Sequence, residues 1–274
     1  MKALIVVGVI VVLWAISLSA FLANAEHKKA AAPGNGPEYA LDTAPDVEES
    51  PLRGKRVLFL GSSVTYGAAS QKVSFVDYLA KQDGVQTTKD AVSGTTLVDE
   101  WSFYSLGSSL NAGSYIKRLK AIDQKTVYDA VVVQLSTNDA SQNKPLGEVS
   151  ADRDLETFDV HTVTGAMEYI ISYSQKTWGC PVVFYTGSYY ENDAYAAMVD
   201  RLYDLQDKWG IDIIDMYGDE SFNDISESDY ALYMWDPIHP TRAGYLRWWT
   251  PFIRQHLGDI LGKLGLIKKH LKKN

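Results

Sequence analysis

The stretch Arg56–Gly67 reads R-V-L-F-L-G-S-S-V-T-Y-G, and the prediction of the fold starts from it. Its first half, Val57–Leu60, is a short apolar run rich in strand-forming residues, and Gly61 ends that run. Two serines follow, and the next periodic segment, Phe75–Leu79, has helical spacing. This pattern is typical of a strand, a tight turn and a helix, with a hydroxyl group on the turn. Such a turn places a serine above the carboxyl edge of a parallel sheet, where α/β folds bind their ligands.

Further strand and helix patterns alternate along the rest of the chain. The other predicted strands are Val85–Val92, Ala130–Leu135, Pro181–Tyr185 and Ile211–Met216. The other predicted helices are Tyr115–Ile122, Thr162–Gln175, Asn192–Trp209 and a last one from Thr241, which Pro251 should kink or restart. Ala130–Leu135 has the composition of a central strand that is buried on both faces. Five strands alternating with helices predict an α/β fold with a parallel sheet covered on both sides.

The N-terminal residues predict export. Ala3–Ala23 carries no charge and is long enough to cross a bilayer as a helix. Ala23-Asn24-Ala25 also fits the small-x-small pattern of a cleavage site. We therefore expect residues 1–25 to be a signal peptide or an N-terminal transmembrane anchor, and the protein to be secreted or membrane-anchored facing outside. Residues 26–51 are rich in Ala, Pro, Gly and acids and predict a flexible linker.

One folded domain is predicted over residues 52–258, followed by a basic C-terminal tail over 259–274. The last twelve residues carry five lysines and no acid, whereas the whole chain has a net charge of −8. Gly258–Leu271 has apolar residues at helical spacing on one face and lysines on the other. Two interpretations stay open for this tail: a helix on an anionic membrane surface, or a helix packed on the core with its lysines in solvent.

Charge and composition exclude several classes of function. The acidic net charge argues against a nucleic-acid partner, which needs a basic face. Cys180 is the only cysteine, so no internal disulfide forms, and its place at the start of an apolar run predicts a buried, inert thiol. The acidic loop from Asp152 lacks the Gly and Glu of a calcium loop, because Thr157 and Val163 stand at those places. With no H-E-x-x-H motif and no paired cysteines either, we predict no metal.

Residues with catalytic chemistry follow the ends of the predicted strands. They are Ser62-Ser63, Ser93-Gly94 and Asn138-Asp139, and the segment Asp236–His239 precedes the last helix. Because the carboxyl ends of parallel strands meet at one edge of the sheet, we expect these groups to converge there.

Together these groups supply what ester hydrolysis needs. The hydroxyl of Ser63 is a poor nucleophile unless a base takes its proton, and His239 is the candidate base. Asp236 lies three residues earlier and is positioned to accept the other ring N–H. The amide of Asn138 and the backbone N–H groups of Ser63 and Gly94 are candidate donors for an oxyanion. Structural roles remain as alternatives: Ser63 or Asp236 as a helix cap, and His239 as a buried structural histidine.

At this point the chain resembles the SGNH hydrolases, also called GDSL-type esterases and lipases. The resemblance rests on four blocks in order: Gly61-Ser62-Ser63, Gly94, Ser136-Thr137-Asn138-Asp139, and Asp236 with His239, followed by Pro240 and Gly244. It covers about Arg56 to Trp249. It implies that Ser63 is the nucleophile of a Ser63–His239–Asp236 triad, that Ser63, Gly94 and Asn138 form the oxyanion hole, and that the fold is a three-layer α/β/α sandwich, flavodoxin-like.

The sequence departs from the pattern of that family at two positions. Ser62 replaces the usual Asp, which leaves two adjacent serines and removes a carboxylate beside the nucleophile. Ser136 replaces the usual Gly and changes the backbone freedom of the turn before Asn138. Neither departure removes a triad or oxyanion residue.

We therefore predict a serine esterase that acts without a cofactor, through an acyl-serine intermediate, on a small-molecule or glycan ester. Deacetylation of a glycan is favoured by analogy. Two alternatives stay open: a catalytically silent surface carbohydrate-binding protein, and an acyltransferase using the same acyl-enzyme. The oligomeric state is left open. Six loop aromatics near the expected edge are candidates for substrate contact or for plain packing: Trp101, Phe103, Tyr104, Tyr189, Tyr190 and Trp235.

Overall fold

A five-stranded parallel sheet forms the centre of the protein in the computed structural model, which describes residues 17–20, 23–100 and 113–271, with side chains to 263. The strands are β1 Arg56–Gly61, β2 Gln86–Ala91, β3 Ala130–Gln134, β4 Val182–Tyr185 and β5 Asp212–Ile214. Their order in the sheet is β2-β1-β3-β4-β5, and every neighbouring pair is parallel. The predicted α/β class, the five-stranded parallel sheet and the flavodoxin-like strand order are confirmed.

Alternate residues of the central strands enter two separate cores, one on each face of the sheet. Leu58 and Leu60 of β1 pack into the first core, whereas Val57 and Phe59 pack into the second. Because successive side chains of a strand point to opposite faces, a strand that is apolar throughout is buried on both sides. This explains why β4 and the interiors of β1 and β3 are continuous apolar runs.

Helices cover both faces and complete the three layers. In chain order they are α1 Ser63–Tyr66, α2 Phe75–Asp83, α3 Tyr115–Ala121, α4 Thr137–Ser141, α5 Val163–Trp178, α6 Asp193–Trp209, α7 Glu220–Asn223, α8 Glu227–Tyr233, α9 Arg242–Gly244 and α10 Thr250–Leu271. Residues of α3, α5 and α6 line the first core, and residues of α2 and α10 line the second. The predicted sandwich of sheet between two helical layers is therefore present.

Capping residues fix the limits of the long helices. Thr162 and Asn192 accept hydrogen bonds from backbone N–H groups in the first turns of α5 and α6. Gly179 and Gly210 end the same two helices in the left-handed conformation that favours glycine. These caps are local sequence signals, so the predicted limits of both helices agree closely with the observed ones.

The last helical region begins with an irregular turn. A π-helical turn, Tyr245–Trp249, separates α9 from α10, immediately before Pro251. Proline has no N–H to donate to the preceding turn, so the helix departs from regular α geometry where Pro251 predicts a kink or restart. Beyond it α10 continues to Leu271, and Leu261 is buried in the second core. The start of the predicted tail thus packs on the domain as a continuous helix.

The segment before the domain differs from the prediction of a flexible linker over residues 26–51. Residues 33–43 form three short 3₁₀ helices, and the side chain of Tyr39 is buried. The Tyr78 hydroxyl donates to the Tyr39 carbonyl at 2.6 Å, and the Val47 N–H donates to the Gln82 carbonyl at 2.8 Å. For residues 33–51 the prediction of a free linker is therefore wrong, because specific polar contacts with α2 hold them on the domain.

Most of the predicted membrane-spanning stretch, Ala3–Ala23, lies outside the described residues. Among residues 17–20, 23–100 and 113–271 no helix combines the length and the apolar character needed to cross a membrane.

Cys180 is buried, as its sequence context predicts.

Candidate active site

The turn between β1 and α1 presents Ser63 at the carboxyl edge of the sheet. A Cβ atom on Gly61 would lie 1.7 Å from the Thr65 Oγ1, so only glycine allows the chain to turn this tightly. Gly67 ends α1 with φ +85°, and its N–H donates to the carbonyl oxygen of Ser63 at 3.0 Å. Ser63 is the first residue of α1 and 7% exposed, whereas Ser62 is fully buried.

The structure brings Ser63, His239 and Asp236 into one hydrogen-bonded chain. The Ser63 Oγ lies 2.8 Å from the Nε2 of His239. The Nδ1 of His239 lies 2.9 Å and 2.8 Å from the two carboxylate oxygens of Asp236. In this geometry Nδ1–H donates to the carboxylate, and Nε2 is free to accept the serine proton. Neither Ser63 nor Asp236 is the helix cap that was the alternative, because Ser62 is at the N-cap position of α1 and Thr241 caps α9.

Local backbone geometry fixes the carboxylate of Asp236. Its Oδ1 accepts the backbone N–H groups of Ile238 at 2.9 Å and of His239 at 2.8 Å. Burial raises the pKa of Asp236, but the hydrogen bond and charge of His239, together with these two N–H groups, outweigh it. The net result is a pKa below the ordinary value of 3.8. Asp236 therefore stays ionised at neutral pH.

Asn138 and Gly94 lie on neighbouring turns after β3 and β2. Gly94 has φ +80°, a conformation that favours glycine. The Asn138 Nδ2 donates to the carbonyl oxygen of Thr95 at 2.8 Å. Because a carbonyl only accepts, this bond fixes the amide orientation and leaves the second Nδ2 hydrogen for another acceptor. The bond also ties the turn of Asn138 to the turn of Gly94.

Asp139, the next residue, connects the turn of Asn138 to the backbone just after the turn of Gly94. It is fully buried, and its two carboxylate oxygens accept the backbone N–H groups of Leu97 at 2.8 Å and Val98 at 3.1 Å. Burial raises the pKa of Asp139 to about 6, although these hydrogen bonds and that from Ser136 act to lower it. Ser136, which replaces the family's usual glycine, caps α4 through its side chain and has a negative φ of −77°. That departure is therefore accommodated without backbone strain.

Ser62, the other departure, faces Gln134 of β3 and not His239. The Gln134 Nε2 donates to the Ser62 Oγ at 3.1 Å, and the Gln134 Oε1 accepts the Ser62 N–H at 2.9 Å. The same Oε1 accepts the Thr65 hydroxyl at 2.8 Å. This pairing positions the nucleophile turn. Sequence reasoning missed Gln134, although one polar residue in the apolar run A-V-V-V-Q-L is a signal that could have found it.

Arg118 is a second residue that sequence reasoning missed. Its side chain is buried, and Nη2 donates to the Gly61 carbonyl at 2.8 Å and to the Thr95 Oγ1 at 3.1 Å. Nη1 forms an ion pair with Asp90 at the end of β2. Arg118 therefore links the ends of β1 and β2 with the turn that carries Gly94. No motif marks it, because its partners come from three distant parts of the chain.

The predicted aromatic residues are placed differently from one another. Tyr189 and Trp235 are 54% and 39% exposed, and Trp235 is next to Asp236 in the chain. Tyr190 packs against the first core. The other three, Trp101, Phe103 and Tyr104, lie outside the described residues. Within the described part of the chain, no cluster of three or more His, Cys, Asp or Glu residues is placed to hold a metal ion.

This arrangement is able to perform acyl transfer. The Ser63 hydroxyl lies within hydrogen-bonding distance of a base, His239, which the ionised Asp236 orients. The side-chain amide of Asn138, a hydrogen-bond donor, lies on a neighbouring turn. All of these groups lie at the carboxyl edge of the sheet, where sequence analysis placed them. The structure thus brings the predicted triad residues together and links Asn138 to the turn of Gly94 through Thr95.

Comparison with known proteins agrees with this geometry. A sequence model of the GDSL-like lipase/acylhydrolase family matches residues 59–247. No curated protein matches the chain. Among solved structures, a Lactobacillus plantarum protein is 21% identical with a TM-score of 0.58, and the match covers 77% of this chain and 98% of that one.

Two further solved structures share the fold. A Bacteroides ovatus protein described as a GDSL-like lipase is 16% identical with a TM-score of 0.53, over 74% of this chain and 97% of that one. A family two carbohydrate esterase from Clostridium thermocellum, solved with cellohexaose, is 15% identical with a TM-score of 0.50, over 78% of this chain and 65% of that one.

Proposed function

Because this chain belongs to the GDSL-like lipase/acylhydrolase family and is an esterase/lipase-type hydrolase, we propose that Ser63, His239 and Asp236 hydrolyse carboxylic esters through an acyl-serine intermediate. One observation carries the proposal: the Ser63 Oγ lies 2.8 Å from the His239 Nε2, while Asp236 holds the other ring nitrogen at 2.8 Å. This contact favours a catalytic over a purely structural role for His239, because its partner Ser63 is held on a turn that requires glycine at position 61.

The first half of the reaction forms the acyl-enzyme. The Ser63 Oγ attacks the ester carbonyl carbon and gives its proton to His239 Nε2. The carbonyl oxygen becomes an oxyanion, for which the second Nδ2 hydrogen of Asn138 and the N–H groups of Ser63 and Gly94 are the proposed donors. The intermediate collapses as the carbon–oxygen bond to the alcohol breaks, and His239 returns the proton to the leaving alcohol.

The second half releases the acid. A water molecule gives a proton to His239 Nε2 as its oxygen attacks the carbonyl carbon of acyl-Ser63. The bond to Ser63 breaks, His239 returns the proton to the serine oxygen, and the free carboxylic acid leaves. Asp236 remains ionised throughout and stabilises the protonated imidazole, consistent with its lowered pKa.

The proposed substrate is the ester of a small acyl group on a glycan. The exposed rings of Tyr189 and Trp235 offer flat apolar surfaces to a sugar ring. Tyr189 also borders an open groove of about 320 Å³ together with Tyr217 and Glu220, a ring and a carboxylate that suit a hydroxylated ligand. The carbohydrate esterase of similar fold is consistent with this choice.

The test is an ester panel on the purified protein with paired serine variants. Ser63→Ala should abolish nearly all hydrolysis of activated esters and keep the fold, because the Ser63 hydroxyl makes its one described side-chain hydrogen bond to His239. Ser62→Ala should keep a substantial fraction of the activity, since Ser62 faces Gln134. An active Ser63→Ala enzyme together with an inactive Ser62→Ala enzyme would reverse the assignment.

We further propose that the domain acts outside the cytoplasm, either secreted or tethered through its N-terminal segment. The uncharged stretch Ala3–Ala23 and the cleavage pattern at Ala23-Asn24-Ala25 support export. N-terminal sequencing of the mature protein distinguishes the two forms. A first residue at Glu26 means release, an intact N-terminus in the membrane fraction means an anchor, and an intact N-terminus in the cytoplasm contradicts export.

A further inference from the structure

A narrow cavity lies beside the candidate active site, on the side of β4. Three of its lining residues are chain neighbours of site residues: Val64 follows Ser63, Thr137 precedes Asn138, and Ile238 precedes His239. Its volume of about 10 Å³ is roughly the room that one water-sized group needs. Any group that enters it from the nucleophile must therefore be short.

The order of the strands shows on which side of Ser63 the cavity lies. The sheet runs β2-β1-β3-β4-β5, so the turn of Gly94 after β2 lies on one side of Ser63. The loop after β4, which contains Ser188 and Tyr190, lies on the other side. We assign the oxyanion to the side of the Ser63 and Gly94 N–H groups. The acyl substituent on the same carbon is then assigned to the opposite side, where the cavity extends from Thr137, beside Asn138, to the β4 loop.

Within the described part of the chain, two hydroxyl groups that line this cavity lack a hydrogen-bond partner. Ser188 is 2% exposed and lines the cavity, and among the described residues its Oγ has no hydrogen-bond partner. The buried hydroxyl of Tyr190, also in the lining, has none either. Burial raises the pKa of Tyr190, so this hydroxyl stays protonated and available as a donor. Burying a hydroxyl without a hydrogen-bond partner is unfavourable, and a ligand that offers it a polar atom removes this cost.

Two other polar side chains of the same cavity, Gln134 and Tyr185, already have hydrogen-bond partners. The Gln134 amide pairs with Ser62 and Thr65, and the Tyr185 hydroxyl lies 2.6 Å from the Thr65 Oγ1. The backbone N–H of Gly187, just before Ser188, donates to the Tyr195 hydroxyl at 2.8 Å and fixes the start of the β4 loop. The unpaired hydroxyls of Ser188 and Tyr190 are therefore held on a fixed loop, where a ligand group can meet them.

We propose that this cavity selects a two-carbon acyl group with a hydroxyl on its second carbon, a glycolyl ester, through hydrogen bonds from Ser188 and Tyr190. The inference rests on the proposed function, because it requires the acyl group to be attached to Ser63. A glycolyl group places one polar atom, two bonds from the carbonyl carbon, in a space that admits one water-sized group. Hydrolysis of the glycolyl-Ser63 ester by water then releases glycolate and the free serine.

The experiment compares esters of one alcohol with three acids: acetic, propionic and glycolic. Propionyl and glycolyl differ only by a methyl group in place of a hydroxyl and are nearly the same size. Each kcat/KM is divided by the rate constant for hydroxide-catalysed hydrolysis of the same ester, which removes the difference in intrinsic reactivity. We expect the corrected glycolyl to propionyl ratio to be about 10 or more, because a site built to pair a hydroxyl rejects the analogue that lacks it.

Two variants and one matched control test the assigned residues. Ser188→Ala and Tyr190→Phe should each reduce the corrected ratio several-fold. Ser174→Ala removes another buried hydroxyl without a described partner, but from α5 outside the cavity, and should leave the ratio unchanged. If Ser188→Ala fails to fold, Tyr190→Phe alone decides.

The outcomes separate this inference from the proposed function. Hydrolysis of the acetyl ester with a corrected ratio near 1 overturns the cavity assignment and leaves the esterase proposal standing. A high ratio that survives both substitutions overturns the roles of Ser188 and Tyr190. Failure to hydrolyse any of the three esters overturns the proposed function and this inference with it.

Discussion

Ser62 and Ser63 are adjacent and both are buried, yet only Ser63 contacts His239. The difference comes from their partners, since the side-chain amide of Gln134 donates to the Ser62 hydroxyl and accepts from the Ser62 N–H. At the scale of single residues, the chemistry of this site thus depends on which hydrogen bonds are already made. The same argument applies to the two aspartates of the site, Asp236 and Asp139, whose pKa values are shifted in opposite directions.

Asp236→Asn should lower turnover far more than it changes substrate affinity. The amide removes the carboxylate that holds the His239 Nδ1–H and permits the wrong tautomer, so we expect kcat to fall by roughly 10²–10⁴ and KM to change little. Wild-type activity should rise with pH between ~5 and ~8, because a general base must be unprotonated to accept the serine proton. Because the pKa of Asp236 is lowered, the pH profile should show no separate aspartate limb in that range. Steady-state kinetics across pH check this, with the exposed Asp42→Asn as control. Turnover within twofold of wild type would refute the role of Asp236.

Asp139 should make the protein more stable in mild acid than at neutral pH. Its pKa rises from 3.8 to about 6 on folding, so the folded state binds the proton more tightly than the unfolded state. The resulting stabilisation, about 3 kcal/mol, is fully present below pH ~4 and is lost as the pH rises through 6. Urea unfolding of wild type and Asp139→Asn at pH 4 to 7 measures it. The difference in unfolding free energy between the two should shift by about that amount, and a pH-independent difference would contradict the assignment.

At the scale of elements, the N-terminal segment joins two loops that carry the site. The buried side chain of Asn35, 3% exposed, accepts the Arg242 N–H at 2.8 Å and donates to the Ala69 carbonyl at 2.7 Å. Arg242 lies three residues after His239, and Ala69 lies six residues after Ser63. Asn35 therefore holds the loop of the base and the loop after the nucleophile at a fixed separation.

Asn35→Ala should reduce both stability and turnover. Loss of the hydrogen bonds of a buried amide leaves its partners unsatisfied, which costs roughly 2–4 kcal/mol. We expect a lower Tm and a several-fold lower kcat, measured against Thr43→Ala, an exposed residue of the same segment. A chain that starts at residue 52 should show a larger loss than one that starts at residue 26. Equal activity and stability of these two chains would show that the segment has no role in the site.

The accuracy of the sequence predictions differs between elements for a physical reason. The strands are apolar runs and the long helices carry local caps such as Thr162 and Gly179, so composition and spacing were enough to find them. Because the strands were predicted to be parallel, their carboxyl ends were expected at one edge of the sheet, and Ser63 and His239 were expected to lie close together there. The packing of residues 33–51 was missed, because it depends on hydrogen bonds such as Asn35 to Arg242 between residues 207 positions apart. Polar pairs of this kind leave no periodic pattern in a sequence.

At the scale of the whole molecule, the site is assembled from both ends of the domain around one sheet. The nucleophile follows the first strand, whereas the base and its carboxylate precede the last helices. Ser63 and His239 are 176 residues apart in the chain. The two cores on either side of the sheet, together with the ion pair of Arg254 with Asp83 at 2.6 Å, hold these ends together. Catalytic geometry is thus a property of the complete domain and of no smaller part of it.

The bond between Asn35 and Arg242 has a consequence for the order in which the protein matures. Contacts between distant parts of a chain require closure of long loops, and they form slowly compared with local ones. A chain still emerging from the ribosome holds Asn35 and Ser63 long before it holds His239 and Arg242. Nascent chains and prematurely terminated chains therefore carry an unactivated serine. A fluorophosphonate or other serine-directed label then reports completed folding, and not merely the presence of the polypeptide.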